Sequence, residues 1–378
     1  LKDKKMPDNQ PLRSKLFFLD TQTYMARNFQ FDYGVLERLQ SHLEEDDCHL
    51  LITDVNVREV RRHLKRKAAE AVTAINKAKK EAMILRNTPA LPWHGIFDSV
   101  SAQQICDSLE EKFNAFLNNN RVEVVATKNV DIDAVFDAYF NALPPFATSG
   151  KKAEFPDAFV LHAVNSISKQ RGYKLYVVSE DRDVKSFCEA NENLISLSRL
   201  EELLELVLKN SERLAEPAKF AEEIFAEFEG IIKQNIQEQL DGAEFELDDE
   251  FPEAEVSDIE VEGIEYLSKN LTDVSKEYAT FELMVRVSVI VDMSLPDYDR
   301  SPWDSEDKFY PFVFHNKLVR RYIHTAPITV EISFDDGVAA NAALAWVETD
   351  EIVDLSSARI EQISFKEMDF GDDEEYGH

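Results

Sequence analysis

Four acidic residues stand where the chain could do chemistry. Asp20 directly ends the apolar run Leu-Phe-Phe-Leu at 16–19, and Glu59 lies just beyond the second run, HLLIT at 49–53. Asp157 follows Pro156 in the segment EFPDAF, and Asp181 follows the third run, KLYVV, in the stretch VVSEDRDV, with Asp183 two residues later. Carboxylates brought together repel one another, and at neutral pH they coexist only when protonated or neutralised by cations. Mg²⁺ or Mn²⁺ takes oxygen ligands and keeps several waters while bridging to substrate phosphate. One or two such ions activate water and stabilise the attacking and leaving oxygens of an in-line displacement, so phosphodiester hydrolysis is the reaction this set serves best.

These residues become a set only if the elements around them converge. The runs 16–19, 49–53 and 174–178 read as strands buried on both faces, and the alternating RVEVVAT at 121–127 as a further strand. Between them the spacing predicts helices over 33–45, 56–86, 131–143, 156–168 and 184–191, and another running from an N-cap at Ser101 to about Asn118. Strands alternating with helices call for a parallel sheet with helices on both faces, and reactive groups then gather outside the carboxyl ends of the strands. All four acids are placed so as to converge there: Asp20 and Asp181 after strands, Glu59 one turn into the helix after the second strand, and Asp157 in the first turn of the helix opened by Pro156. Taken singly, each also has a plain structural reading. Asp20 is a strand-end turn residue, Glu59 completes an Asn56-x-x-Glu59 capping box, Asp157 complements a helix dipole, and Asp181 and Asp183 open a helix.

Composition sets the bounds. The chain has 378 residues, 44% of them apolar and 30% charged, which is ordinary globular material for two or three domains. Its most apolar run, Phe281 to Met293, contains Glu282, Arg286 and Asp292, so no membrane-spanning segment is expected. Cys48, Cys106 and Cys188 are far apart and lack metal-ligand spacing; they read as buried thiols of a cytoplasmic protein. The net charge of −31 lies wholly after residue 200: residues 1–200 balance at 28 basic and 28 acidic, leaving 14 basic against 45 acidic beyond. A surface this acidic repels phosphates, but the objection applies only to the second half. In the first half, residues 58–86 carry ten Lys or Arg against three Glu. Because salt confines fields to about 8–10 Å, that stripe can hold a nucleic-acid backbone locally. Arg58, Arg61, Arg62, Lys65 and Arg66, with Lys151 and Lys152 before the EFPD segment, are the expected phosphate contacts. Trp93, His94 and Phe97 read as loop anchors rather than base-stacking groups, and His63 as a structural histidine.

In order, LFFLDTQTY, LLITDVNVREVRRHL, KKAEFPDAFVLHAV and LYVVSEDRDV resemble the acidic motifs of PIN-domain nucleases. The context NALPPFATSGKKAEFPDAF is similar to a bacterial PIN-like subgroup with a long insertion before the third motif. The resemblance covers residues 15–200 and implies a three-layer α/β fold with a central parallel sheet. It makes Asp20, Glu59, Asp157 and Asp181 the metal-binding catalytic acids, Asp183 a fifth ligand, and Glu154 a weaker candidate. It also implies Mg²⁺ or Mn²⁺ as cofactor, nucleic acid (single-stranded RNA first) as substrate, and a toxin-like or defence role. One departure is that the first motif reads Asp20-Thr21-Gln22 where the family commonly has D-x-N or D-x-S. The interval from Glu59 to Asp157 is also long, with a helical insertion expected over about 60–145. A dehalogenase-like phosphatase would need D-x-D at the first strand, and Gln22 excludes it. Neither a glycine-rich phosphate loop nor a G-x-S-x-G elbow occurs.

Beyond residue 200 the pattern changes. Residues 1–14 are expected to be a tail, 201–240 a helical connector, 241–260 an acidic linker, 261–368 a smaller antiparallel β-rich (α+β) domain, and 369–378 an acidic tail. The second half shows no catalytic constellation, and His315 and His324 lack a ligand pattern; a regulatory or partner-binding role is expected, with an oligomer also open. A structure-specific DNA nuclease and a non-catalytic PIN scaffold are the alternative readings.

Overall fold

The computed structural model describes residues 11–146, 154–211, 213–247, 253–305, 308–335, 338–349 and 352–367. The chain divides into two compact units, Leu1–Ala215 and Glu216–His378.

In the first unit, strands β1 (Leu16–Leu19), β2 (His49–Thr53), β3 (Val122–Val125), β4 (Leu175–Val178) and β5 (Leu194–Leu197) form one parallel sheet in the order β3-β2-β1-β4-β5. The strands are apolar on both sides because both sides are covered. Phe17, Leu19, Leu50, Ile52, Tyr176 and Val178 pack on one face with α2 (Gly34–Glu44), α3 (Asp54–Glu81), α4 (Ala102–Leu117) and α8 (Leu200–Asn210). Phe18, Leu51, Leu175 and Val177 pack on the other with α5 (Ile132–Phe140), α6 (Phe155–Arg171) and α7 (Arg182–Glu189). This is the expected three-layer arrangement. Each such side chain contributes ~1.5–3 kcal/mol on burial, so the strand sequences alone commit these segments to the middle layer.

The order of the sheet matters for the site. From β1 the chain moves outward through β2 to β3, then returns to β1's other side for β4 and β5. Strand order therefore reverses between β1 and β4, the point at whose carboxyl ends open α/β sheets bind their ligands. The segment between Glu59 and Asp157, a largely helical insertion, also supplies the edge strand β3, within the strand expected over 121–127. The serine-containing edge strand β5 was not foreseen. Helix α8, expected in a connector, belongs to this unit, where Leu200, Leu203, Leu204 and Val207 are buried. Backbone N–H groups of Leu12 and Arg13, in the expected tail, donate to the side chains of Asn210 and Tyr176.

Helix starts follow side-chain chemistry. Ser101 and Gln104 form a reciprocal capping box at α4, and Asp131 and Asp181 cap α5 and α7. Helix α3 starts at Asp54 rather than at about 56, because the Thr53 hydroxyl accepts from the Asn56 N–H at 3.2 Å. The capping-box reading of Asn56 and Glu59 is thereby corrected: both lie inside the helix. Cys48, Cys106 and Cys188 are buried free thiols, and among the described residues no helix is long and apolar enough to cross a membrane.

In the second unit, α9 (Ala215–Asp241) packs on an antiparallel sheet of β7 (Glu255–Val274), β8 (Tyr278–Asp297), β9 (Phe314–Asp335), β10 (Val338–Glu348) and β12 (Arg359–Glu367). The Phe225 ring meets Phe281 at 4.6 Å and Phe220 meets Phe334 at 5.1 Å. A parallel pair, β6 (Glu244–Glu246) and β11 (Ile352–Asp354), lies beside it in sequence. The strands run for 20, 20 and 22 residues in β7, β8 and β9. Residues 241–260, expected as a linker, include the end of α9, β6 and the first six residues of β7; Glu244, Glu246, Glu255, Asp258 and Glu260 there occupy exposed strand positions. Pro327 is tolerated inside β9 because β12 pairs with residues 316–323 and β10 with 329–335, so no neighbour on that side needs its missing N–H. The expected acidic tail lies outside the described residues.

Candidate active site

Asp20 leaves the carboxyl end of β1 in extended conformation, and its N–H donates to the Val178 carbonyl at the end of β4 (3.1 Å). The two strand ends thus stay together across the switch point. Ser179, the first residue after β4, bridges them by its side chain. Its hydroxyl donates to Asp20 Oδ2 at 2.8 Å and accepts from the Asp181 N–H at 3.1 Å. Burial pushes the Asp20 carboxyl up, as do the charges of Glu59 and Asp181; the bonds from Ser179 and the Thr21 backbone pull it down without cancelling the rise.

Glu59 reaches the same place from α3. Its Oε2 accepts from the Thr21 hydroxyl at 2.8 Å, and Thr21 Oγ accepts from Asn56 Nδ2 at 2.9 Å. Asp157 enters from the first turn of α6, next to Pro156. Its carboxyl is pushed up to about 7, first by burial, then by the charges of Asp20 and Glu59, and by the charge and hydrogen bond of Glu154. Asp181 caps α7 by accepting from the Asp183 N–H at 2.7 Å, and its charge still reaches Asp20. The structure therefore brings Asp20, Glu59, Asp157, Asp181 and Glu154 into one electrostatic neighbourhood, while the Asp183 backbone serves the α7 cap. Ser179, Thr21 and Asn56 were missed as site residues. The adjacency of Ser179 to the SED stretch was the available signal; Gln22, whose position stood out in the sequence, is exposed.

The basic stripe divides by helix geometry. Arg62 and Arg66 lie three and seven residues after Glu59, on its side of α3. Arg61 instead donates to Asn114 Oδ1 at 2.9 Å on α4, and Arg58 pairs with Asp54 at 3.8 Å. Lys65 is exposed on α3 away from Glu59. His63 is held against the Arg66 guanidinium at 3.0 Å; burial and the charges of Arg66 and Arg62 hold its ring below the usual histidine range. Trp93 is exposed, and His94 and Phe97 pack on each other at 5.6 Å. Lys151 and Lys152 lie outside the described residues.

The donor chemistry fits a hard divalent cation. All the converging groups are carboxylates, and among the described residues no cationic side chain pairs with Asp20, Glu59, Asp157 or Asp181. Their oxygens are not drawn into one tight set. Among the described residues the group whose ligand atoms all lie within 4.8 Å of one another is His42, Glu45 and Asp47. That group precedes β2 and so sits at the opposite, amino end of the sheet, where the Arg213 guanidinium already pairs with Glu45 and Asp47. The wider spacing at the carboxyl end is compatible with a hard divalent cation that retains several waters and binds one or two carboxylates directly.

A parallel sheet with covered faces, a reversal of strand order and carboxylates at that reversal that no described basic side chain pairs with define an α/β domain with the donor chemistry for a divalent cation. Residues 17–184 match the family model of the PIN domain, and this part of the chain belongs to that family. PIN domains are the fold of metal-dependent nucleases that act on nucleic acid. No curated protein and no solved structure matches the chain significantly.

Proposed function

We propose that the protein is a divalent-metal-dependent endonuclease that hydrolyses phosphodiester bonds of single-stranded RNA at the carboxyl ends of β1, β2 and β4. Asp20, Glu59, Asp157 and Asp181 would hold Mg²⁺ or Mn²⁺, with Glu154 and Asp183 beside them. When bound, the ion would activate water and offset charge on the phosphate. The observation that carries this reading is Asp157: three other carboxylates from distant segments act on it or its neighbours, and no described basic residue relieves them.

The chain's own residues have separable tasks in this scheme. Ser179 holds Asp20 in one orientation and Thr21 holds Glu59. Asp157, hydrogen-bonded to Glu154 and pushed up to about 7 in the metal-free site, would give up its proton on taking the cation. Arg62 and Arg66 stand on the Glu59 side of α3 to take flanking phosphates. The acidic second unit would serve as a regulatory or partner-binding module. A panel of matched RNA and DNA, single- and double-stranded, with Mg²⁺ or Mn²⁺ tests the reading. Single-stranded RNA should be cut fastest, and Asp20→Asn and Asp157→Asn should each abolish the cut. Equal activity in wild type and both variants would remove the site, and preferential cutting of DNA would replace the substrate.

A further inference from the structure

The Glu59 side of the site contains a hydrogen-bond chain with a fixed direction. The Thr53 hydroxyl donates to Asn56 Oδ1 at 2.5 Å and also accepts the Asn56 N–H. With its oxygen so engaged, the Asn56 amide presents Nδ2, which donates to Thr21 Oγ at 2.9 Å. The Thr21 hydroxyl hydrogen is then left for Glu59 Oε2 at 2.8 Å. Donors thus run one way, Thr53 to Asn56 to Thr21 to Glu59, and end on a carboxylate acceptor. A flipped Asn56 amide would set its NH₂ against the Thr53 hydroxyl and turn Thr21 away from Glu59. Thr53, Asn56 and Thr21 are all buried, so each link is costly to leave unmade. Among the described residues Oε1 of Glu59 makes no hydrogen bond.

We propose that Thr21 and Asn56 are positioning residues that fix one oxygen of Glu59 and turn the other, Oε1, toward a divalent cation. Gln22 is exposed and contributes nothing to the chain. This assignment rests on the metal-site reading above and extends it to residues that touch neither metal nor substrate. Outer partners of metal ligands commonly govern affinity by 10–100-fold.

Mn²⁺ binding to the full chain, followed by isothermal titration calorimetry without nucleic acid, tests it. Thr21→Val preserves shape and deletes the hydroxyl, and should weaken Mn²⁺ binding about 10–100-fold. Thr21→Ser should restore it to within a few-fold of wild type. Asn56→Asp, which can only accept, should draw the Thr21 hydroxyl away from Glu59 and weaken binding at least as much. Metal-free melting temperatures show that each variant is folded. Should Thr21→Val fold and bind Mn²⁺ like wild type while Asp20→Asn does not, the positioning role is overturned and the metal site stands. Should wild type show no saturable binding, or Asp20→Asn bind unchanged, both are overturned. A Thr21→Val variant that does not fold shifts the decision to the Ser and Asp variants: unchanged binding in Asn56→Asp overturns the role.

Discussion

The Ser179 hydroxyl donates to Asp20 Oδ2 at 2.8 Å, tying the residue after β4 to the residue after β1 across the reversal of strand order. This bond fixes the acid that the other carboxylates face. Ser179→Ala should therefore lower metal-dependent cleavage about 10–100-fold, in line with the loss of a partner to a metal-binding group. Initial rates at saturating Mg²⁺ measure it. A rate equal to wild type would mean that Asp20 is held by its surroundings alone.

Asp157 should be a liability to the metal-free fold. It is partly buried beside Asp20, Glu59 and Glu154, with burial as the largest penalty on its charge. Asp157→Asn should raise the melting temperature in EDTA by about 2–4 °C, the change that ~1 kcal/mol produces in a domain of this size once solvent screening is allowed for. Scanning calorimetry with and without Mn²⁺ reads it, and the gain should shrink or reverse when the ion is added. A lower melting temperature in EDTA would show that the carboxylate makes a net favourable contact.

Much of this arrangement was legible in the sequence because the three central strands are uninterrupted apolar runs and each is followed by an acid. Buried parallel strands leave little alternative to such a reading. The support around the acids was not legible. Thr21 and Asn56 are 35 residues apart, and their meeting depends on α1 (Thr21–Ala26) and α3 packing together. Asn56 looked like a helix cap because Asn favours caps, yet Thr53 was in place three residues earlier. Strand β5 carries a serine at an edge, too short and polar to stand out. In the second unit the first residues of β7 were hidden by charge, since an exposed segment with Glu or Asp at three of its first six positions, Glu255, Asp258 and Glu260, reads as solvated coil.

Edge strand β3 is anchored electrostatically, which gives a pH signature. The Arg171 guanidinium on α6 donates to Glu123 at 2.6 Å and, with His49, holds that carboxyl below the usual range. A depressed folded-state pKa contributes stability that is complete above the unfolded value of about 4.5 and is lost as pH falls through the lower folded value. Glu123→Gln should therefore lower the urea midpoint at about pH 7, and the gap to wild type should close as pH drops below about 4. A gap that stays constant with pH would assign the effect to packing.

Arg62 and Arg66 should act on affinity rather than on the reaction itself. Replacing both by Ala should weaken binding of a single-stranded oligonucleotide and flatten the slope of log K against log salt by about 1.4, the value for two single-strand phosphate contacts. Fluorescence anisotropy across a salt series, in EDTA to prevent cleavage, measures this. Arg61→Ala, whose side chain is held by Asn114, should leave the slope unchanged. An unchanged slope in the double variant would move the nucleic-acid path elsewhere.

The most direct measurement is the anomalous difference map of a crystal grown with Mn²⁺. A peak at the carboxyl ends of β1, β2 and β4, within coordination distance of Asp20 or Asp157 and facing Glu59 and Asp181, is the predicted result. A peak confined to His42, Glu45 and Asp47 at the other end of the sheet, or none at millimolar Mn²⁺, would contradict the proposed hydrolytic centre.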